Sequence, residues 1–164
     1  MKLTRLSEHG YLVESVFDRN TFNNLYNICK LSDMQQENDT LRDKIGITGA
    51  LFNILQRYFE PHLRSITPEF LQIGGMELWR DYGGYTNAYH LDDPAVGNVM
   101  IVYLETNPDT GLGTGYVDTD GNGYQVPYTT NTGIIVLNSN AISHGLVGKV
   151  PADTTRYTFY LNWK

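Results

Sequence analysis

His90 and Asp92 stand two residues apart in Tyr82-Gly-Gly-Tyr-Thr-Asn-Ala-Tyr-His-Leu-Asp92, behind a glycine pair and ahead of an apolar run. An imidazole and a carboxylate at that spacing can grip one metal ion if a third ligand arrives from elsewhere. Such a pair also arises by chance, so the rest of the chain has to supply its context. The sequence has four His, and the one placed to complete the set is His144, in Asn140-Ala-Ile-Ser-His-Gly, just after the apolar stretch 133–137. Two imidazole nitrogens and one carboxylate oxygen form a ligand face that leaves three coordination positions open and suits Fe(II). The absence of thiolate partners argues against structural zinc. A hydrogen-bonded histidine at a strand end is the plain alternative for His144.

Arg156 is the second residue with chemistry to explain. It opens Thr155-Arg-Tyr-Thr-Phe-Tyr-Leu-Asn-Trp163, a run otherwise free of charge. Strand alternation puts Arg156, Thr158 and Tyr160 on one face and Tyr157, Phe159 and Leu161 on the other. An arginine facing a protein interior needs a buried anion, because an unpaired buried charge is expensive. Its fork of donors matches a carboxylate in two parallel bonds. A dicarboxylate could therefore rest one end on a metal and the other on Arg156 and Thr158. The alternative is a surface arginine at a strand start, paired with Asp153.

These side chains need a scaffold to position them, and the spacing of apolar residues outlines one. Residues 11–17 read as a strand. Asn20 or Thr21 can cap a helix whose apolar side carries Phe22, Leu25, Tyr26, Ile28 and Cys29. The polar segment 31–43 reads as a loop. A second helix begins near Thr48 and places Ala50, Leu51, Ile54, Leu55, Tyr58 and Phe59 on one face, with Pro61 marking its end or a kink. After about Phe70 the helical spacing gives way to short strands at 76–82, 98–105, 115–118, 124–128, 132–137, 143–147 and 155–163. Strands at such regular intervals predict an antiparallel sandwich or barrel, with the two N-terminal helices covering one face. One domain over 1–164 follows, with a helical support region at 1–69 and a strand-rich core at 70–164. The turn Asp118-Thr-Asp-Gly-Asn-Gly123 opens like a calcium loop, but Thr129 stands where the closing glutamate belongs, so a hairpin is the better reading.

Composition narrows the function classes. The chain has 164 residues, 41% hydrophobic and 18% charged, an ordinary globular balance. Twelve Tyr and sixteen Gly suit strands joined by tight turns. A net charge of −6 argues against a nucleic-acid partner, which needs a basic face. No apolar run reaches membrane-spanning length, and the N-terminus lacks the apolar core of a secretion signal. The single cysteine, Cys29, reads as a buried small hydrophobe. A reducing, cytoplasmic setting is the expectation.

Taken in order, Tyr82-Gly-Gly-Tyr, His90-x-Asp92, Val102-Tyr-Leu-Glu105, Gly113-Thr-Gly, His144, Arg156-Tyr-Thr and Leu161-Asn-Trp resemble the prolyl-4-hydroxylase-like branch of the 2-oxoglutarate/Fe(II)-dependent dioxygenases. The resemblance covers about residues 70–164, and the strand-then-helix opening at 11–30 also fits. It implies a mainly β fold with N-terminal helices, a double-stranded β-helix (jelly roll) with the helices packed on one face. It further implies that His90, Asp92 and His144 hold iron and that Arg156 binds the distal carboxylate of 2-oxoglutarate, where many relatives carry Lys. Tyr103 matches a tyrosine that hydrogen-bonds the same carboxylate. Tyr82 matches another pocket tyrosine, and Thr158 a position where relatives carry a hydroxyl or a small residue. The family's Gly-Gly-x-Thr element is altered here to Gly111-Leu-Gly-Thr-Gly-Tyr. Asp92 argues against the halogenating relatives, which have a small residue there. The activity implied is O₂-dependent oxidative decarboxylation of 2-oxoglutarate coupled to hydroxylation of a second substrate, a peptidyl proline or a small molecule. Two other readings stand beside it: a jelly-roll binding or structural protein with a vestigial metal site, and a cupin-like metalloenzyme that does not use the keto-acid.

Overall fold

Helical spacing and strand alternation become two helices and eleven strands among residues 1–37, 41–105 and 112–164, which the computed structural model describes. In chain order these are β1 (Lys2–Arg5), β2 (Gly10–Glu14), α1 (Arg19–Leu31), β3 (Gln35–Gln36), β4 (Arg42–Gly46), α2 (Gly49–Ile66), β5 (Ile73–Tyr82) and β6 (Asn98–Tyr103). The chain continues through β7 (Thr114–Val117), β8 (Gly123–Val126), β9 (Thr132–Val136), β10 (Ser143–Leu146) and β11 (Thr155–Trp163). Eight strands form one sheet in the order β1-β2-β9-β6-β11-β5-β4-β3, and three form a second, β10-β7-β8. All pairings are antiparallel. The expected jelly roll with helices on one face is the architecture found.

Strand β11 shows how the layers are built. It lies between β5 and β6, and its alternation is the one the sequence predicts. Phe159, Leu161 and Trp163 join Leu25, Leu55, Phe59 and Leu63 in the core between sheet and helices. Phe59 stacks on Phe159 at 5.6 Å, and Phe17 meets both edge-on. Each such phenylalanine contributes about 1.5–3 kcal/mol by leaving water. On the other face, Arg156, Tyr160 and Asn162 look toward the smaller sheet. There Val99, Ile101, Tyr116, Val126 and Ile134 fill a second core.

Several local expectations shift. Strand β2 stops at Glu14 because Ser15 takes a left-handed backbone (φ 50°) and turns the chain, although Val16 and Phe17 beyond it are buried. The cap of α1 is Asp18 rather than Asn20 or Thr21: its Oδ1 accepts from Asn20 N at 2.9 Å and Thr21 N at 3.0 Å. Helix α2 runs on through Pro61, which sits on the exposed side where water can serve the carbonyl left without a donor. The segment read as a loop contains β3 and the start of β4, with 38–40 outside the described residues. The first 46 residues thus supply four strands of the large sheet as well as helix. Gly111, part of the altered glycine element, also lies outside the described residues. Asp118 closes the β7–β8 hairpin, with Oδ1 accepting from Asp120 N and Asn122 N. No helix among the described residues is long and apolar enough to cross a membrane.

Cys29 lies on the buried side of α1 with no exposed surface, its thiol donating to the Trp79 carbonyl at 3.2 Å, and burial pushes its pKa up to about 12. Against an ordinary thiol near 8.5, alkylation of the native protein at pH 8 should be slower than that of unfolded protein by on the order of a thousandfold. Equal rates in native buffer and in denaturant would contradict this placement.

Candidate active site

Residues 84–92 run as an irregular ribbon alongside β10, and this contact sets the His90-x-Asp92 pair against His144. Gly84 takes a positive φ (96°) just after β5, and the chain turns there toward the smaller sheet. Backbone bonds then tie Gly84 to Val150, Tyr85 to Val150, and Asn87 to Leu146. His90 and His144 exchange both of theirs, at 2.9 and 3.0 Å. Asp92 N reaches Ser139 O at 3.0 Å. Gly145 permits the approach, since a Cβ there would lie 2.7 Å from the Asn87 carbonyl oxygen.

The three side chains converge. The candidate ligand atoms of His90, Asp92 and His144 all lie within 4.8 Å of one another. His90 Nδ1 is 2.9 Å from the Ala88 carbonyl and His144 Nδ1 is 3.0 Å from the Ile142 carbonyl. A carbonyl can only accept, so each Nδ1 carries a proton, and in the neutral ring each Nε2 presents a lone pair. Those Nε2 atoms stand 3.4 Å from Asp92 Oδ1 and Oδ2 respectively. Asp92 Oδ2 is buried without a hydrogen-bond partner. Burial alone would raise the Asp92 carboxyl, but His144, Ser139 and His90 hold it below its ordinary value, so it is ionised at neutral pH. Two ring nitrogens and one carboxylate facing one another are the arrangement that a divalent cation satisfies, and ring nitrogens anchored through carbonyls are typical of metal-ligating histidines. The residues fit a metal.

A cavity of about 710 Å³ opens beside this cluster, and Arg42, Trp79, Tyr85, Arg156 and Tyr160 form part of its wall. Arg156 is 3% exposed, so the surface alternative with Asp153 does not apply. Its Nη1 donates to Asp81 Oδ2 at 2.7 Å, its Nε to the Leu112 carbonyl at 2.9 Å and its Nη2 to Thr114 Oγ1 at 3.3 Å. Asp81 is fully buried and also receives a two-bond fork from Arg42, at 2.6 and 3.1 Å. Strand register explains the triad: Arg42 on β4 and Arg156 on β11 both stand directly opposite Asp81 on β5. The Arg42 guanidinium lies between the rings of Trp79 (4.0 Å) and Tyr85 (4.4 Å), and Trp79 in turn stacks on Tyr160 at 4.3 Å.

No protein-family model matches the sequence, and no curated protein matches it. Solved structures do match in shape. A prolyl-4-hydroxylase from Pseudomonas putida superposes with a TM-score of 0.76 at 15% identity, over 95% of this chain and 92% of its own. HygX from Streptomyces hygroscopicus, with nickel, 2-oxoglutarate and hygromycin B bound, gives 0.73 at 12% identity, over 94% and 82%. The viral collagen prolyl hydroxylase vCPH from Paramecium bursaria Chlorella virus-1, in its 2-oxoglutarate complex, gives 0.69 at 13% identity, over 94% of each chain. The fold is that of the 2-oxoglutarate/Fe(II) oxygenases.

Within this oxygenase fold, His90, Asp92, His144 and Arg156 face one cavity, and Tyr103, Tyr82 and Thr158 are not on its wall. Tyr103 is fully buried, and its hydroxyl is committed within the core: it accepts from Thr114 N at 2.8 Å and donates to the Val126 carbonyl at 3.3 Å. It sits 5.6 Å beneath the Arg156 guanidinium rather than on the cavity wall. Tyr82 projects from the opposite face of β5, where its hydroxyl bonds Asp43 at 2.5 Å. Thr158 is fully buried between Trp79 and Tyr103 in the strand register, with its Oγ1 unpartnered and off the wall. Tyr85 and Tyr160 are the tyrosines that line the cavity among the described residues. Arg42 and Asp81 were not anticipated. Alternation along 76–82 does put Asp81 on the face of Trp79, where a carboxylate demands a partner, but nothing local names that partner.

Proposed function

We propose that this protein is a non-haem Fe(II) oxygenase that couples oxidative decarboxylation of 2-oxoglutarate to hydroxylation of a second substrate. The observation that carries the reading is the convergence of two carbonyl-anchored imidazoles and one unpartnered carboxylate on a cavity whose wall also holds buried arginines. His90, Asp92 and His144 would hold the iron, leaving three positions for keto-acid and O₂. When bound, the metal supplies the O₂ chemistry by which 2-oxoglutarate, O₂ and a substrate C–H become succinate, CO₂ and C–OH.

The chain's own residues do the rest. The Ala88 and Ile142 carbonyls keep both Nε2 atoms aimed at one point. Arg156 orients the keto-acid through its distal carboxylate. The stacked Trp79 and Tyr160 rings, with Ile101 and Leu146, line the cavity and keep bulk water from the reacting atoms. The primary substrate is a peptidyl prolyl residue or a small molecule; the neighbours include prolyl hydroxylases and a protein with hygromycin B bound. A cytoplasmic setting suits Fe(II), 2-oxoglutarate and a lone buried cysteine.

Anaerobic Fe(II) and 2-oxoglutarate together should give the purified protein a weak visible metal-to-ligand band, and air should then release succinate. No band and no succinate would leave a jelly roll with a vestigial site. A panel of proline-containing peptides and small molecules, scored by succinate release, identifies the substrate class.

A further inference from the structure

The charge within one buried row beside the cavity does not balance. Arg42, Asp81 and Arg156 form one cross-strand row over β4, β5 and β11, all at 6% exposure or less. Two guanidiniums share one carboxylate, which leaves a surplus of one positive charge. The other carboxylate acting on Arg42 is Glu37, and its Oε1 is already matched by Lys44 Nζ at 2.7 Å. Asp81 alone would have sufficed to pair Arg156, so Arg42 is a second buried cation that an internal pairing does not require. Burying it is expensive unless something at the site repays it. Its donors are also incompletely used. Nε and Nη2 are taken by Asp81, whereas Nη1 makes no hydrogen bond among the described residues, and Arg42 lines the same cavity as the metal cluster. Trp79 and Tyr85 clamp the guanidinium plane from both faces, so its direction is fixed.

We propose that Arg42 is a second binding residue for the distal carboxylate of 2-oxoglutarate, acting with Arg156 on a platform that Asp81 holds together and that carries one net positive charge. The inference rests on the oxygenase reading above. Asp81 sets the separation of the two cations, and the incoming carboxylate neutralises what remains. Charge-assisted bonds of this kind are the strong ones, and a keto-acid without a distal carboxylate gains nothing from them.

The test is titration of 2-oxoglutarate and, in parallel, 2-oxobutanoate into anaerobic Fe(II)-loaded protein. It uses wild type, Arg42→Met and the double variant Arg42→Met/Asp81→Asn, each first shown to be folded by thermal unfolding. Arg42→Met brings the row to zero net charge and should weaken 2-oxoglutarate by about tenfold or more. Its 2-oxobutanoate affinity should be unchanged. The double variant restores one net charge but not the Arg42 donors, and should recover only part of the loss. An Arg42→Met protein with wild-type selectivity for 2-oxoglutarate overturns the proposal, as does a double variant that binds 2-oxoglutarate as tightly as wild type. If Arg42→Met fails to fold, Arg42→Gln takes its place, with the same expected and overturning results. A wild-type protein that binds Fe(II) but no 2-oxoglutarate overturns both this inference and the oxygenase reading, a pattern distinct from either failure above.

Discussion

Asp92→Ala is expected to abolish Fe(II) uptake while leaving the metal-free protein about as stable as before. The two halves follow from different features of one carboxylate. Without metal, Asp92 faces two Nε2 lone pairs at 3.4 Å, and its Oδ2 is buried without a donor. The pull of His144, Ser139 and His90 on the carboxylate is largely offset by the cost of burying it, so removing the group should change stability by no more than about 1 kcal/mol. With metal, the same group is the anionic member of the ligand set, and its loss should cost affinity well beyond the roughly 10–100-fold seen when only an outer partner is removed. Thermal unfolding reads both at once. Fe(II) at about 100 times its dissociation constant stabilises the native state by about 2.7 kcal/mol. For a chain of this length that is a rise of roughly 5–10 °C in Tm. Wild type should show the rise and Asp92→Ala should not, from nearly the same starting Tm. A variant that keeps the rise would place the metal elsewhere; one that starts far lower would make Asp92 a structural residue.

The parts of this site that were legible in the sequence are those written within single strands and turns. Alternation in 155–163 puts Arg156 on the inner face, and β11 keeps that alternation without interruption until the register shifts near Trp163. The His90-x-Asp92 pair lies in one short ribbon, and His144 follows an apolar strand. What could not be read were relations that register creates between distant strands. Arg42 looked like loop because β4 is polar, and it is polar because its inner face supplies Arg42 and Lys44 to a cavity wall instead of to a core. Asp81 meets Arg42 and Arg156 across sequence separations of 39 and 75 residues. Tyr103 lies off the cavity wall for a similar reason: it sits on the inner face of β6, but its hydroxyl is held by backbone groups at Thr114 and Val126. Tyr85 is not on a strand at all, so alternation said nothing of it.

Asp81→Ala should be the most destabilising single substitution at the site. It would leave two guanidiniums facing each other across a strand with nothing between them, both nearly inaccessible to water. Breaking a buried pair by removing one partner typically costs about 3–5 kcal/mol, because the remaining charge is uncompensated. Against a total of roughly 5–15 kcal/mol, that is a large share of what keeps the chain folded. At about 2–4 °C per kcal/mol, the fall in Tm should be roughly 6–20 °C. Asp81→Asn keeps an oxygen for the arginine donors and should lose less. The informative companion replaces the whole row, as Arg42→Met/Asp81→Leu/Arg156→Met. An apolar row of similar volume removes the desolvation burden along with the attraction, and such exchanges are often neutral or stabilising by about 1–4 kcal/mol. The triple variant should therefore unfold well above Asp81→Ala while binding no 2-oxoglutarate. A triple variant as unstable as Asp81→Ala would mean that the charges hold the fold together. Recovery of stability without recovery of binding would mean that the row is maintained for its ligand, with Asp81 present because two cations cannot share a wall without it.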